Sequence, residues 1–393
     1  MKKKRTALGV KAAVLVFVLG CSICFFGCST AQKEEKRKDE TLEKNLKLLA
    51  EGYREIYESA EQDDKLDSIM FQKKIVDYLG EKGYAAVDQN QRINMVNFEQ
   101  AEAYCQRAEE GKEAEIVLFL VMEQGRIVRY ELRTDGEKMN AAVCGISWKE
   151  GEPVVSELHE FVVSYWDYTE KGYLFIEEYH PSGYDGAPGQ TAFRIRPLDE
   201  ELRAWNEKYV MPIGYERNNL LITDWDAQDY SQVDFYDLYE TCYSHIRGEH
   251  LPYVPEEGAE YMVPKKEFEE VLRQYFSLEP EQIQQQTQYD SLTECYHYRP
   301  RGLYDCQMPY GPYPEVTACE EMGNGTYKLT VEAVWIRGKT DQACRSEFIM
   351  KIGTDGEFQY VSNRVLEIEK DGAVWYQPRL TEEQWKEIYK KSF

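Results

Sequence analysis

Apolar residues recur along this chain with two periods. Leu42, Leu46, Leu49, Tyr53, Ile56 and Tyr57 fall three or four apart, which predicts an amphipathic helix over residues 41–60. Ile69, Ile75, Val76 and Leu79 predict a second over 68–80, ending near Gly80 and Gly83. Asn97 followed by Gln100 predicts a capped third helix, with Gly111 as its terminal glycine. The period then changes. Ile116 to Met122 is a continuous apolar run, suited to a strand buried on both faces. Val128, Tyr130 and Leu132 alternate with Arg129, Glu131 and Arg133, as in a half-buried strand, and Asp135-Gly136 signals a hairpin. Further strands are predicted at 138–147, 154–168, 172–179 and 190–196.

A short helix near 199–208 leads to a polar, aromatic stretch. Ser231 with Asp234 resembles a helix start, and Phe235, Leu238, Tyr239, Cys242 and Ile246 keep helical spacing up to Gly248. Pro252, Pro255 and Gly258 mark a break. Pro264 then suits the first position of a helix carrying Phe268, Val271, Leu272 and Tyr275 on one face, and Pro280 opens another. A strand is expected at 315–321. Tyr327, Leu329, Val331, Ala333 and Trp335 alternate after Asn324-Gly325; Phe348, Met350 and Ile352 lead to Asp355-Gly356, then Phe358 and Tyr360. Asp371-Gly372 marks one more turn, and Thr381 with Gln384 caps a last helix bearing Trp385, Ile388 and Tyr389. Helices followed by an antiparallel meander, twice over, predict an α+β class. They also suggest an internal duplication of a cystatin-like or NTF2-like sheet-and-helix module, the latter by analogy.

The N-terminus changes the picture. Lys2, Lys3, Lys4, Arg5 and Lys11 precede an apolar run from Ala12 to Gly27, too short to span a bilayer and typical of a secretory signal. The run ends in Phe25-Phe26-Gly27-Cys28, which resembles the lipobox of bacterial lipoproteins. That likeness implies diacylglyceryl transfer to the Cys28 thiol, then cleavage before it. Val18-Leu19-Gly20-Cys21 is a second match, but it leaves apolar residues downstream. Residues 32–40 are charged and cannot order themselves by burial, so they suit a tether. The expected layout is a signal peptide at 1–27, a tether at 28–40, a first module at 41–211, a connecting segment with one helix at 212–258, and a second module at 259–393. With the charged tether and the helix–meander modules, including Lys266-Glu267-Phe268-Glu269 and Tyr360-Val361-Ser362-Asn363, the chain resembles lipoproteins encoded by gut clostridia. That likeness carries no activity.

Losing the five basic residues of the signal takes the formal charge from −24 to −29. Such a surface repels phosphate backbones, which argues against nucleic acid as a partner. Of ten cysteines, Cys21 and Cys24 leave with the signal and Cys28 is lipidated. Cys105, Cys144, Cys242, Cys295, Cys306, Cys319 and Cys344 remain, an odd number that leaves at least one thiol unpaired. Disulfides are permitted outside the membrane, with Cys105–Cys144 and two bridges among the last four respecting the module boundary; reduced buried cysteines are the alternative.

Five groups are candidates for chemistry. Cys242, His245 and His250 are zinc-type ligands lacking a fourth partner. Cys295 and His297 point to one face of a strand, near Cys306, as a nucleophile and base would, without an orienting third residue. Asp224, Trp225, Asp226, Asp229, Tyr230, Asp234 and Asp237 offer carboxylates for calcium or, with the rings, for a sugar. Asp229 and Asp234 equally suit a helix N-terminus. The loop 298–313, with Arg299, Arg301, Tyr304, Tyr310 and Tyr313, offers a recognition surface. Glu177 and Glu178 are adjacent on a strand and so face opposite ways, which argues against a carboxylate pair. No catalytic constellation and no cofactor is indicated. The expectation is a membrane-anchored extracytoplasmic lipoprotein that binds a polysaccharide, peptide or envelope protein. A glycosidase-like hydrolase with paired carboxylates and a structural subunit of an envelope complex are the alternatives.

Overall fold

Whether a strand alternates or runs apolar throughout is set by what covers its faces, and both kinds occur in the computed structural model of this chain. The structure describes residues 39–390; the lipobox, Cys28 and most of the tether lie outside them. The described part has the expected α+β class and divides into two compact units, one up to residue 162 and the other from residue 163 on.

In the first unit, helix α1 (39–51) is followed at once by α2 (Arg54–Gln62). The single helix expected over 41–60 therefore breaks at Gly52, where Tyr78 crosses. A Cβ at Gly52 would stand 1.9 Å from the Tyr78 hydroxyl, which donates to the Leu49 carbonyl at 3.0 Å. Helix α3 (Ile69–Glu81) starts on Ser68, whose side chain accepts from the Phe71 N–H. Strand β1 (Ala85–Asp88) and helix α4 (Phe98–Glu109) follow. Asn97 precedes α4 as expected, but not as a side-chain cap. Its backbone is left-handed, and its amide donates to the carbonyls of Gly80 and Tyr84 at 2.9 and 2.8 Å, tying α4 to the end of α3.

Strands β2 (Ala114–Val121), β3 (Ile127–Thr134) and β4 (Met139–Lys149) form the meander. The stretch expected as one strand over 154–168 is two, β5 (Glu152–Val155) and β6 (His159–Tyr168), and both pair with β4. β1 lies parallel to β2, so β1–α4–β2 is a crossover unit, and four residues with no alternation gave no sign of it. Tyr53, Phe71, Ile75, Val76 and Leu79 pack with Phe119, Val121, Ile127, Cys144 and Ile146 of the sheet. β2 is buried along both faces over 118–121, which explains its unbroken apolar run.

The boundary between units falls inside β6. Residues 159–162 pair with β4, and those from 163 on pair with β7 (Tyr173–Glu178), next to β8 (Gln190–Arg194). The expected break at 212–258 is not where the chain divides. After α5 (Glu200–Trp205), residues Tyr209, Val210, Ile213, Tyr215, Leu220, Leu221, Trp225 and Tyr230 are buried in the core of the second unit. The Pro, Gly and Asp content there marks tight turns within a core, not a linker. β9 (Trp225–Asp226) joins a five-stranded sheet, and α6 (Phe235–Arg247) is capped by Asp234 and closed by left-handed Gly248.

β10 (Tyr261–Pro264) runs directly into α7 (Lys265–Tyr275), so Pro264 caps that helix instead of opening it. Helix α8 (Pro280–Gln286) does open on its proline. β11 (Tyr289–Asp290) and β12 (Cys295–Tyr298) complete a three-stranded sheet in the order β10-β12-β11. β13 (Tyr313–Gly323), β14 (Thr326–Val334), β15 (Cys344–Ile352) and β16 (Phe358–Ile368) then pair consecutively, the first and last turns falling at the predicted Gly325 and Gly356, with β9 beside β16. Helix α9 (Glu382–Trp385) carries the capping box predicted at Thr381 and Gln384. The first unit holds a parallel pair, whereas the five-stranded sheet of the second is antiparallel throughout. Rings from α6, α7 and the sheet interlock at its centre: Tyr239 against Phe268 at 4.6 Å, Tyr275 against Phe358 at 5.1 Å, and Trp225 against Tyr230 at 5.3 Å. No helix among the described residues is long and apolar enough to cross a membrane.

Candidate functional site

Helix α6 is amphipathic, and its faces separate two roles. Leu238, Tyr239 and Cys242 enter the core. Asp237 is also buried, at 0% exposure, beside Glu240 one turn on. A lone buried carboxylate is costly unless paired, and here the partners come from far along the chain. Arg301 donates to both Asp237 oxygens, at 2.9 and 2.5 Å. Arg379 donates to Asp237 Oδ1 at 2.6 Å and to Glu240 Oε1. Tyr376 donates to Asp237 Oδ2 at 2.9 Å, and Tyr298 to Glu240 Oε1 at 2.7 Å. Arg301 and Arg379 further donate to the carbonyls of Asp305, Gln377 and Arg299. The network therefore fastens the loop after β12 and the segment before α9 to one side of α6.

Its electrostatics follow from burial and charge. Burial works against the Arg379 guanidinium, but Glu240, Asp237 and Asp234 outweigh it and hold the group well above its ordinary value. Arg301 is raised as well, burial opposing and Asp237 prevailing. Asp234, at the start of α6, is pushed up to about 6, first by burial and then by the charge of Asp237, with Arg379 opposing.

Above this network lies a cleft of about 540 Å3, within the range of small-molecule sites. Glu240 and Ser244 from α6, Tyr253 and His250 from the segment after it, Tyr298 at the end of β12, and Arg217 from the turn before β9 line it, with Arg301 and Cys306 from the loop. Tyr253 stands against Tyr298 with ring centres 5.6 Å apart. Both Glu240 and Arg301 reach the cleft already neutralised by the network below.

The sequence-derived candidates are distributed unevenly about this cleft. Of the loop residues, Arg301 enters it. Arg299 instead pairs with Glu260 at 2.8 Å and covers the Trp385 ring, Tyr304 and Tyr310 are exposed, and Tyr313 donates to the Tyr173 hydroxyl at 3.2 Å. The acidic aromatic group is not gathered on a surface. Trp225 and Tyr230 are buried core residues, and Trp225 donates its indole N–H to Leu220. Asp224 accepts from the Val365 N–H, Asp226 from Gln228 and Asp229, and Asp229 from Ser231. Asp226 and Asp229 hold local turns, which is why aspartate stands there, whereas Asp224 ties its segment to β16.

Cys242 faces the core, its thiol pushed up to about 12 by burial, while His245 and His250 are exposed. Among the described residues no cluster of three or more His, Cys, Asp or Glu is arranged to hold a metal. Cys295 and His297 do share a face of β12, but His297 turns to Glu260 at 3.5 Å, and Cys295 donates to the Thr293 carbonyl. Glu177 pairs with Lys339 at 2.9 Å, and Glu178 lies near His180. All seven thiols among the described residues are free; Cys105 and Cys144, the first suggested pair, are both buried and unbridged.

Sequence reasoning missed Arg217, Glu240, Ser244 and Tyr253. The proline-rich stretch after Gly248 reads as a break between modules, and no local pattern points to an opening there. No curated protein and no solved structure matches the chain. Residues 39–379 match the model of a family described as "Family of unknown function (DUF6070)", and the chain belongs to that family.

Proposed function

We propose that this protein is a lipoprotein, anchored through Cys28 on the outer side of a membrane, whose second unit binds an envelope or extracellular ligand in the cleft beside α6. The lipobox-like Phe25-Phe26-Gly27-Cys28 and the charged segment after it support the anchoring. The cleft carries the binding: a concave site with aromatic walls and a few convergent polar groups, resting on a rigid buried ion network. Its one lining carboxylate, Glu240, is held by Arg379 and Tyr298. Glycoside hydrolysis by paired carboxylates needs a second acid across the scissile bond, so the geometry favours binding over hydrolysis.

Two experiments test this. Membrane fractionation of cells expressing the chain should find it with membranes, and Cys28→Ala should release it; a Cys28→Ala protein that stays bound to membranes would remove the anchor. Capture from envelope extracts by the wild-type chain should enrich a component that Ser244→Trp, which fills the cleft, fails to retain. Equal capture by both chains would move binding elsewhere.

A further inference from the structure

The cleft contains a charge that the fold does not use. Arg301 is satisfied by Asp237, and Arg379 by Asp237 and Glu240. Arg217, by contrast, lines the cleft with no hydrogen bond or ion pair to its guanidinium among the described residues. This is in a chain with 71 acidic and 47 basic residues, where most charged side chains near a guanidinium would be carboxylates.

The position is built. Arg217 adopts a left-handed backbone, φ +63°, which a bulky residue rarely takes. The neighbouring Asn218, 2% exposed, holds it there by donating to the carbonyls of Ile213 and Glu216 at 2.7 and 3.1 Å and accepting from the Leu220 N–H at 3.1 Å. The Tyr215 side chain next to it is buried in the core. The remaining cleft groups are of a different kind. Tyr253, backed by Tyr298, is an aromatic wall. The Ser244 hydroxyl, His250 and the Oε2 atom of Glu240 take no hydrogen bond among the described residues.

One unneutralised guanidinium suits a single carboxylate, which it meets through two parallel N–H donors. An aromatic wall with neutral donors and a charge-compensated acceptor suits a ring bearing hydroxyls. We propose that the cleft takes an anionic saccharide, a sugar carrying a carboxylate, with Arg217 pairing the carboxylate, Tyr253 against the ring face, and Glu240 and Ser244 bonding ring hydroxyls. This rests on the binding reading above and names its ligand class.

The test is calorimetric titration of the full chain in detergent with digalacturonate, its dimethyl ester and acetate. The acid should bind with one site per chain and at least tenfold more tightly than the ester, which keeps the rings and loses the charge. Acetate should bind far more weakly than either. Arg217→Met, on an exposed turn and with unchanged unfolding temperature, should erase the preference for the acid, and Arg217→Lys should keep part of it. Equal affinity for acid and ester would overturn the anionic part. Acetate binding as tightly as digalacturonate would overturn the saccharide part, and no binding of any of the three would overturn both. In each of those cases, envelope capture that is still lost in Ser244→Trp leaves the binding reading standing, so the two fail separately.

Discussion

Replacing Asp237 by alanine should be among the costliest single changes in the second unit, because it strands the buried Arg301 charge and takes one of the carboxylates that hold Arg379. Asp237 is fully buried and accepts four hydrogen bonds, two from Arg301, one from Arg379 and one from Tyr376. Arg301 and Arg379 have side chains only 8% and 11% exposed, so water cannot replace what is lost. Arg379 keeps Glu240, but Arg301 keeps only the carbonyls of Asp305 and Gln377. Removing one partner of a buried ion pair costs about 3–5 kcal/mol. For a unit of this size that lowers Tm by about 6–20 °C. Urea unfolding followed by tryptophan fluorescence measures it, since Trp225 and Trp375 are buried in the same unit. Asp237→Asn keeps part of the hydrogen bonding and should fall between. Arg301→Met added to Asp237→Ala should recover part of the loss, because the uncompensated charge goes with it. A loss under about 1 kcal/mol for Asp237→Ala, or no recovery in the double variant, would refute the view that a buried charge network holds this side of α6.

Other outcomes follow from single positions. Gly136→Ala should destabilise by about 2–5 kcal/mol, because φ is +94° and its Cβ would meet the Gly111 carbonyl oxygen at 2.3 Å. Gly151→Ala, with φ +76° but open space, should cost only about 1 kcal/mol in the same denaturation assay. Asp234, held at about 6, binds more protons folded than unfolded, so its contribution is full below about pH 4 and is lost as pH rises through 6. Asp234→Asn should therefore flatten that fall in urea midpoints measured between pH 4 and 7, and unchanged slopes would count against it. Thiol titration of a chain lacking residues 1–28 should find seven groups once denatured, with Cys306 reacting first in the native state. Fewer than seven would mean bridges.

Most local structure was legible because its causes are local. The capping box at Thr381 and Gln384, the left-handed glycines at 111, 136, 248, 325 and 356, and the apolar alternation of Phe348, Met350 and Ile352 in β15 all follow from residues within one or two turns of each other. The errors share one origin, a long-range contact that outweighs a local signal. Tyr78 breaks the first helix at Gly52 from 26 residues away. Asn97 spends its side chain on the end of α3 and not on its own helix. β1 exists because β2 offers it a parallel edge, and no periodicity in four residues announces that.

The site was illegible for the same reason in a stronger form. His250, Tyr298, Arg301 and Cys306 stood out in the sequence, but in three separate groups with three separate chemistries, and the cleft brings them together. What fixes Arg301 there is Asp237. In the sequence it was one aspartate among several near a helix start, where negative charge needs no further explanation. Its partners stand 64, 139 and 142 residues later, so the ion network leaves no trace in any local window. Once that network is known, the roles divide by what each arginine lacks. Arg301 and Arg379 are consumed in holding the loop and cannot also hold a ligand without losing Asp237 or Glu240. Arg217 consumes nothing, and that difference makes it the group on which binding in the cleft should turn.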